Sequence, residues 1–180
     1  APMSLPRIFM IGPMGSGKTT VGRFLARRMG LVFHDLDQEI ERRCGVDVRT
    51  IFDIEGEEGF RLREHALLNE LTLADSLLLA TGGGSVLRAD NRALLRDRGL
   101  VVWLKTCVDQ QIRRLEKDQR RPLLQAPDRE ERLRKLAEER DPLYAECAHL
   151  IVDSDNVPPL QMAQRAAKRI QQHLESEQVS

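Results

Sequence analysis

Aromatic residues are scarce. One Trp, one Tyr and five Phe make up 4% of the chain. That leaves no rings interleaved with basic residues, the pattern by which a protein stacks on single-stranded nucleic acid. It also offers no exposed aromatic patch from which to argue a dimer, so a monomer is expected. Net charge is missing as well. The 28 Lys and Arg balance 28 Asp and Glu, so no global field draws the chain to nucleic acid or a membrane surface. No apolar run approaches the roughly 18 residues of a membrane span. The opening Ala1-Pro2-Met3-Ser4 begins no signal peptide. Cysteine is limited to Cys44, Cys107 and Cys147, which form neither a CxxC pair nor a metal-ligating cluster. An odd, sparse set suits reduced thiols in a cytoplasmic protein. There is no internal repeat and no low-complexity linker. At 180 residues, 41% of them hydrophobic, residues 1–180 read as one domain.

What is present begins at Gly12-Pro13-Met14-Gly15-Ser16-Gly17-Lys18-Thr19, followed by Thr20. This is the G-x-x-x-x-G-K-T pattern of a loop that wraps nucleotide phosphates. Ile8–Ile11 before it reads as a buried parallel strand. Val21, Phe24, Leu25 and Met29 after it recur at helical spacing, and Gly30 supplies a stop. Glycines let successive N–H groups point at an anion, where the helix dipole also favours negative charge. Lys18 can place a charge on the outer phosphates, and the Thr19 hydroxyl can ligate Mg²⁺.

Leu31–His34 reads as a second strand ending in Asp35-Leu36-Asp37. Carboxylates at the carboxyl end of a strand lie where open α/β sheets bind ligands. If the strand continues, Asp35 and Asp37 share one face. One could hold Mg²⁺ and the other accept a substrate hydroxyl; alternatively, Asp37 caps a helix over 38–43. Gly45 ends that helix. An apolar segment through Val48, Ile51, Phe52 and Ile54 breaks at Glu55-Gly56-Glu57, and a longer helix runs to about Leu73. Its inward stripe is Phe60, Leu67, Leu68 and Leu71. At 100° per residue, Glu64 falls inside that stripe and Arg61 lines up with Leu68. Two readings are compatible: a structural ion pair, or an arginine that reads an anionic substrate and is oriented by Glu64.

A strand over 76–80 leads into Thr81-Gly82-Gly83-Gly84-Ser85. Three consecutive glycines point to close approach of backbone and ligand, or to a flexible turn. A helix over 89–98, with Leu94 and Leu95 inward, precedes a strand over 100–104. A helix over 109–117 leads into residues 118–127, which carry two prolines and read as a loop. Arg113, Arg114, Lys117, Arg120 and Arg121 make its approach basic. That basic run could be a solvated face, a nucleic-acid contact or a lid bringing arginine to phosphates; beside a phosphate loop, the lid is favoured. Asp128 caps a helix through Arg140, with Leu133, Leu136 and Ala137 inward and Arg140 on the same stripe. Pro142 takes the chain out of helix. A strand over 150–153 and a helix over 158–174, with Leu160, Ala163, Ala167, Ile170 and Leu174 inward, complete the chain, and residues 175–180 fray. Strands alternating with helices give an α/β domain with a parallel sheet.

GPMGSGKT, DLD, GEEGFRLRE, GGG, RRPLL and ERDPLY, in that order, resemble the shikimate kinases from Arg7 to about Leu174. The phosphate loop alone is shared by many unrelated enzymes; the set is specific. The resemblance implies a P-loop kinase with a five-stranded parallel sheet, order 2-3-1-4-5, flanked by helices, with a lid (about 116–128) and a substrate-binding subdomain (about 37–64). It implies ATP-dependent phosphorylation of the 3-hydroxyl of shikimate, a step of aromatic amino-acid synthesis. It also implies roles. Gly15, Ser16, Gly17, Lys18, Thr19 and Thr20 would hold ATP, and Thr19, with Asp35 through water, would hold Mg²⁺. Asp37 would bind the shikimate hydroxyls and act as base. Arg61 and Arg140 would clamp the shikimate carboxylate beside Gly82, Gly83 and Gly84. Arg121 would reach the transferred phosphate from the lid. Arg114 would stack on adenine, with Asn156, Val157 and Pro158 on its other side. Thr19 stands where many members carry Ser, and the hydroxyl is kept. Two other readings stay open: a kinase for another small polyol or acid such as gluconate, and a nucleotide-binding regulatory module without catalysis.

Overall fold

The computed structural model describes residues 5–116 and 128–179. The expected lid, including Arg120 and Arg121, lies outside the described residues apart from its two ends. Five parallel strands form one sheet in the order β2-β3-β1-β4-β5: β1 Arg7–Ile11, β2 Phe33–Asp35, β3 Leu77–Ala80, β4 Leu100–Lys105 and β5 Leu150–Asp153. Register is fixed by pairs such as Phe9 with Leu79 and with Val101. Among the described residues seven α-helices connect and follow the strands: α1 Lys18–Met29, α2 Leu36–Cys44, α3 Val48–Leu71, α4 Ala89–Arg98, α5 Val108–Leu115, α6 Arg129–Cys147 and α7 Pro159–Val179.

Period-two alternation splits the strand side chains between two cores. Ile8, Met10, Leu78, Val102, Leu104 and Val152 face α1 and α7. Phe9, Ile11, Leu77, Leu79, Val101 and Trp103 face the opposite side, with Leu68 of α3, Leu95 of α4 and Tyr144 of α6. A parallel sheet covered on both faces explains why its strands read as continuous apolar runs. Truncating one of these leucines to alanine costs about 2–5 kcal/mol.

The structure departs from the sequence reading at six places. Strand β2 stops at Asp35, so Asp35 and Asp37 do not share a strand face; Asp37 lies in the first turn of α2. The cap of that helix is Asp35, whose Oδ1 accepts from the Gln38 N–H at 3.0 Å. Asp128 is the N-cap of α6 by position, but its side chain makes no cap bond to the helix backbone and instead accepts from Arg132 Nε at 3.0 Å. Helix α6 does not end at Pro142 but continues to Cys147. A proline inside a helix costs about 3 kcal/mol; full burial of Tyr144 and Cys147 beyond it offsets that cost. Helix α7 continues to Val179 instead of fraying after residue 174. Leu160, expected inward, is exposed, as are Phe24 and Ile54 of the apolar patterns. The expected break at residues 55–57 is real: Gly56, at φ 73°, kinks α3 and leaves two helical arms.

Candidate functional site

In a parallel sheet every strand delivers its following loop to the same edge, and ligands bind there. Residues 12–17 follow β1, Asp35 ends β2, and Thr81–Gly84 follow β3. They enclose a cleft of about 600 Å³ lined by Gly15–Thr20, Asp35, Asp37, Thr81, Gly82, Gly83 and Arg114, with Ser154 and 156–159 on the far side.

The loop at 12–17 turns on positive-φ glycines, and Gly17, at φ 90°, releases the chain directly into α1. The Val21 N–H bonds back to Gly17 O at 2.8 Å, so the first turn of α1 opens onto the loop. Lys18 is the first residue of the helix and only 9% exposed. Its Nζ donates to Gly12 O at 2.6 Å and Pro13 O at 2.9 Å, so the ammonium lies inside the loop, where a phosphate group would meet it. The Thr19 hydroxyl donates to Asp35 Oδ2 at 2.6 Å. That brings a hydroxyl oxygen and a carboxylate together beside Lys18, a hard-oxygen set suited to Mg²⁺. Among the described residues no group of three or more His, Cys, Asp or Glu could hold a metal. A magnesium site here would take its remaining ligands from phosphate oxygens and water, the usual habit of that ion.

Helix α5 supports the loop from outside. Gln111 is buried and donates from Nε2 to Met14 O at 2.8 Å. Arg114 donates to Gly15 O at 3.0 Å and to Ser154 O at 2.6 Å. Burial pulls its guanidinium below the usual arginine range, with Asp155 and Cys107 opposing. Arg114 thus stands between the phosphate loop and the segment 154–158, the placement expected for the nucleotide end of the cleft.

The other end is built from buried charge. Glu64 is 0% exposed, and its Oε1 accepts from Arg61 Nη1 at 2.9 Å. Arg61, with 15% of its side chain exposed, also lies 3.6 Å from Glu57. Its guanidinium rests so close to Gly84 that a Cβ there would stand 2.7 Å from Cζ. A Cβ on Gly83 would stand 3.4 Å from Arg140 Nη1. The two arginines therefore pack against adjacent glycines, and no residue with a side chain fits at Gly84 without moving Arg61. The Nε atoms of Arg61 and Arg140 are buried without a hydrogen-bond partner among the described residues. Tyr144, one turn beyond Arg140, donates its hydroxyl to Gly83 O at 2.6 Å. Burial pushes that phenol well above its ordinary range, while Arg140 and, more weakly, Arg61 pull it down. Gly82 faces the remaining carboxylate: a Cβ there would stand 3.0 Å from Asp37 Oδ1.

Most of the expected site residues among those described line the cleft. Arg61, Gly84 and Arg140 do not; Arg140 lies against Gly83 of the lining and Arg61 against the adjacent Gly84. Residues that the sequence reading left without a role also belong here. Tyr144 could have been found as the lone tyrosine one turn from Arg140, because a buried phenol needs a partner. Gln111 and Ser85 carry no local signal.

A family model described as "Shikimate kinase" matches residues 14–172. A shikimate kinase from Pseudoalteromonas atlantica is 52% identical over 165 residues, covering 92% of this chain and 96% of its own. A solved structure of shikimate kinase from Acinetobacter baumannii in complex with shikimate superposes with a TM-score of 0.89 at 48% identity, covering 94% of each chain. A gluconokinase from Sinorhizobium meliloti superposes with a TM-score of 0.56 at 15% identity, covering 98% of this chain and 99% of its own, which shows the fold alone.

Proposed function

The chain belongs to the shikimate kinase family, and we propose how its own residues carry out that family's reaction. The activity is ATP-dependent phosphorylation of shikimate in the pathway to the aromatic amino acids. In this reading residues 1–180 form one kinase domain, with 37–64 as the acceptor-binding segment. The observation that carries the assignment is the layer of Arg61 and Arg140 against Gly83 and Gly84, each with a buried donor to spare. Two guanidinium groups beside one buried carboxylate, Glu64, leave positive charge for an acid of the size of shikimate.

Residues 12–20 hold the ATP phosphates by backbone N–H groups and Lys18. Arg114 holds the nucleotide end with Val157 and Pro158. Thr19 would ligate Mg²⁺ and Asp35 would hold it through water; bound there, the ion draws off charge developing on the phosphate oxygens. Arg61, Arg140 and Gly82–Gly84 hold the shikimate carboxylate, and Asp37 accepts from its hydroxyls. The 3-hydroxyl oxygen attacks the γ-phosphorus, the bond from that phosphorus to the β,γ-bridging oxygen breaks, and ADP leaves. The hydroxyl proton passes to Asp37. The transition state is loose, so positioning and charge stabilisation carry most of the rate. Arg121, outside the described residues, takes the transferred phosphate.

A monomer is part of this proposal. Free thiols at Cys44, Cys107 and Cys147 support a cytoplasmic setting. Among the described residues no helix is long and apolar enough to cross a membrane. The assignment is tested by ADP release with shikimate, gluconate, nucleoside monophosphates or no acceptor. Among the acceptors, turnover is expected with shikimate only; preference for gluconate, also a carboxylate, would overturn shikimate as the acceptor, and turnover of nucleoside monophosphates alone would overturn the acid-clamp reading. Asp37→Asn is expected to lower kcat by at least about a hundredfold. Retention of most activity would remove Asp37 from the reacting hydroxyl.

A further inference from the structure

We propose that Ser85 is a positioning residue for shikimate, acting through Glu64 on Arg61 and through Gly82 on the loop beside Asp37. The proposal rests on the acid-clamp reading above. Ser85 is wholly buried, at the start of a short 3-10 turn, Ser85–Leu87, that follows the three glycines. Its hydroxyl donates to Glu64 Oε2 at 2.9 Å and accepts from the Gly82 N–H at 3.0 Å. Glu64 therefore has a different partner on each oxygen: Ser85 on Oε2 and Arg61 on Oε1.

A buried carboxylate is tolerated only when its oxygens are bonded. A single salt bridge would leave this one free to rotate about its last bond. The Ser85 hydroxyl removes that freedom and aims Oε1 at the arginine. The same hydroxyl closes the turn that lays Gly82 against Asp37. One oxygen atom thus sets the arginine on one side of the acceptor site and the loop beside the carboxylate on the other. The backbone of Ser85 is itself held. Asn91 of α4, also buried, donates from Nδ2 to Ser85 O at 3.0 Å, and its Oδ1 meets His65 Nδ1 at 2.6 Å. Alanine at 85 would leave both Gly82 N–H and Glu64 Oε2 without this partner, and losses of that kind to a charged group are the costly ones.

The test measures steady-state constants for both substrates in the full-length enzyme, with Ser85→Ala, Arg61→Ala and the double variant compared with wild type. Ser85→Ala is expected to raise the shikimate KM by roughly tenfold, equivalent to about 1.4 kcal/mol. The ATP KM stays within about twofold, because none of the hydrogen bonds of Ser85, Glu64 and Arg61 is made to residues 12–20. The double variant binds shikimate more weakly than Arg61→Ala, but by less than the product of the two single losses, because only the Gly82 route is left to lose. Should Ser85→Ala fail to fold, Ser85→Cys, close in size and a weaker donor, carries the measurement and gives a smaller rise in the same constant. A shikimate KM within twofold of wild type for Ser85→Ala, while Arg61→Ala raises it, overturns the proposal and leaves the clamp intact. Equal losses for both substrates with a lowered Tm would mark Ser85 as structural only and overturn it too. An Arg61→Ala variant with unchanged shikimate KM overturns the clamp itself, and this proposal with it.

Discussion

On the phosphate side, residues 12–20 are consecutive in the chain and work largely through backbone. Turns at Gly15 and Gly17, a helix start and one lysine suffice, and Lys18 is held by carbonyls of its own loop. On the side proposed to hold the acceptor, Asp37, Arg61, Gly82–Gly84 and Arg140 come from α2, α3, the loop after β3 and α6. There the placement depends on side chains fixing one another: Ser85 on Glu64, Glu64 on Arg61, Tyr144 on Gly83. A phosphate is common to many substrates, and a backbone cradle needs only glycine and a helix N-terminus to make it. An acceptor is particular. Its recognition needs charged groups at set distances, and desolvating those groups is costly unless neighbours compensate.

The sharpest way to break this contrast is to remove the one charged side chain that residues 12–20 themselves supply. Lys18→Met is expected to lower kcat by about a thousandfold or more, equal to about 4 kcal/mol of transition-state stabilisation. Its effect on the shikimate dissociation constant should stay within a few-fold. A large loss of shikimate binding would mean that the two walls are not independent. The reciprocal change is Gly84→Ala. Its methyl group would stand 2.7 Å from Arg61 Cζ, so the guanidinium must move. The shikimate KM should rise by roughly tenfold or more with the ATP KM within about twofold. Fluorescence-monitored unfolding, using the single Trp103, checks that the variant remains folded. An unchanged shikimate KM in a folded Gly84→Ala enzyme would show that the arginine tolerates displacement.

The same contrast explains what could be read from the sequence. Residues 12–19 announce themselves, because their spacing is local and their chemistry needs nothing distant. The strands were legible because burial on both faces makes them unbroken apolar runs. Arg61 and Glu64 stood out only by helical arithmetic, as charges on a face otherwise occupied by Phe60, Leu67 and Leu68. Arg140 was legible in the same way, although its helix was misread as ending before Pro142. The continuation to Cys147 depends on the burial of Tyr144 against Trp103, ring centroids 5.5 Å apart, and no local pattern carries that contact. Asp35 and Asp37 exchanged capping roles because one residue decides where a strand becomes a helix, and both carboxylates suit the position. Ser85 was invisible: a serine after three glycines reads as turn chemistry, and its partner lies 21 residues upstream.

Gln111 puts the contrast to its finest test, because it is a side-chain support on the wall that otherwise depends on backbone. It is buried in α5 and donates to Met14 O at 2.8 Å. Leu115 of the same helix packs against Gly15, so the loop is braced at two neighbouring points. If glycine geometry and the helix start fix the loop by themselves, this brace adds little. Gln111→Ala should then raise the ATP KM by only about threefold, the size of one neutral hydrogen bond near 0.6 kcal/mol. The shikimate KM should not move. A rise in the ATP KM of thirtyfold or more would show that the phosphate wall depends on side-chain support as heavily as the acceptor wall does. The two halves of the site would then differ in how far apart their parts lie in the chain, and not in how they are held.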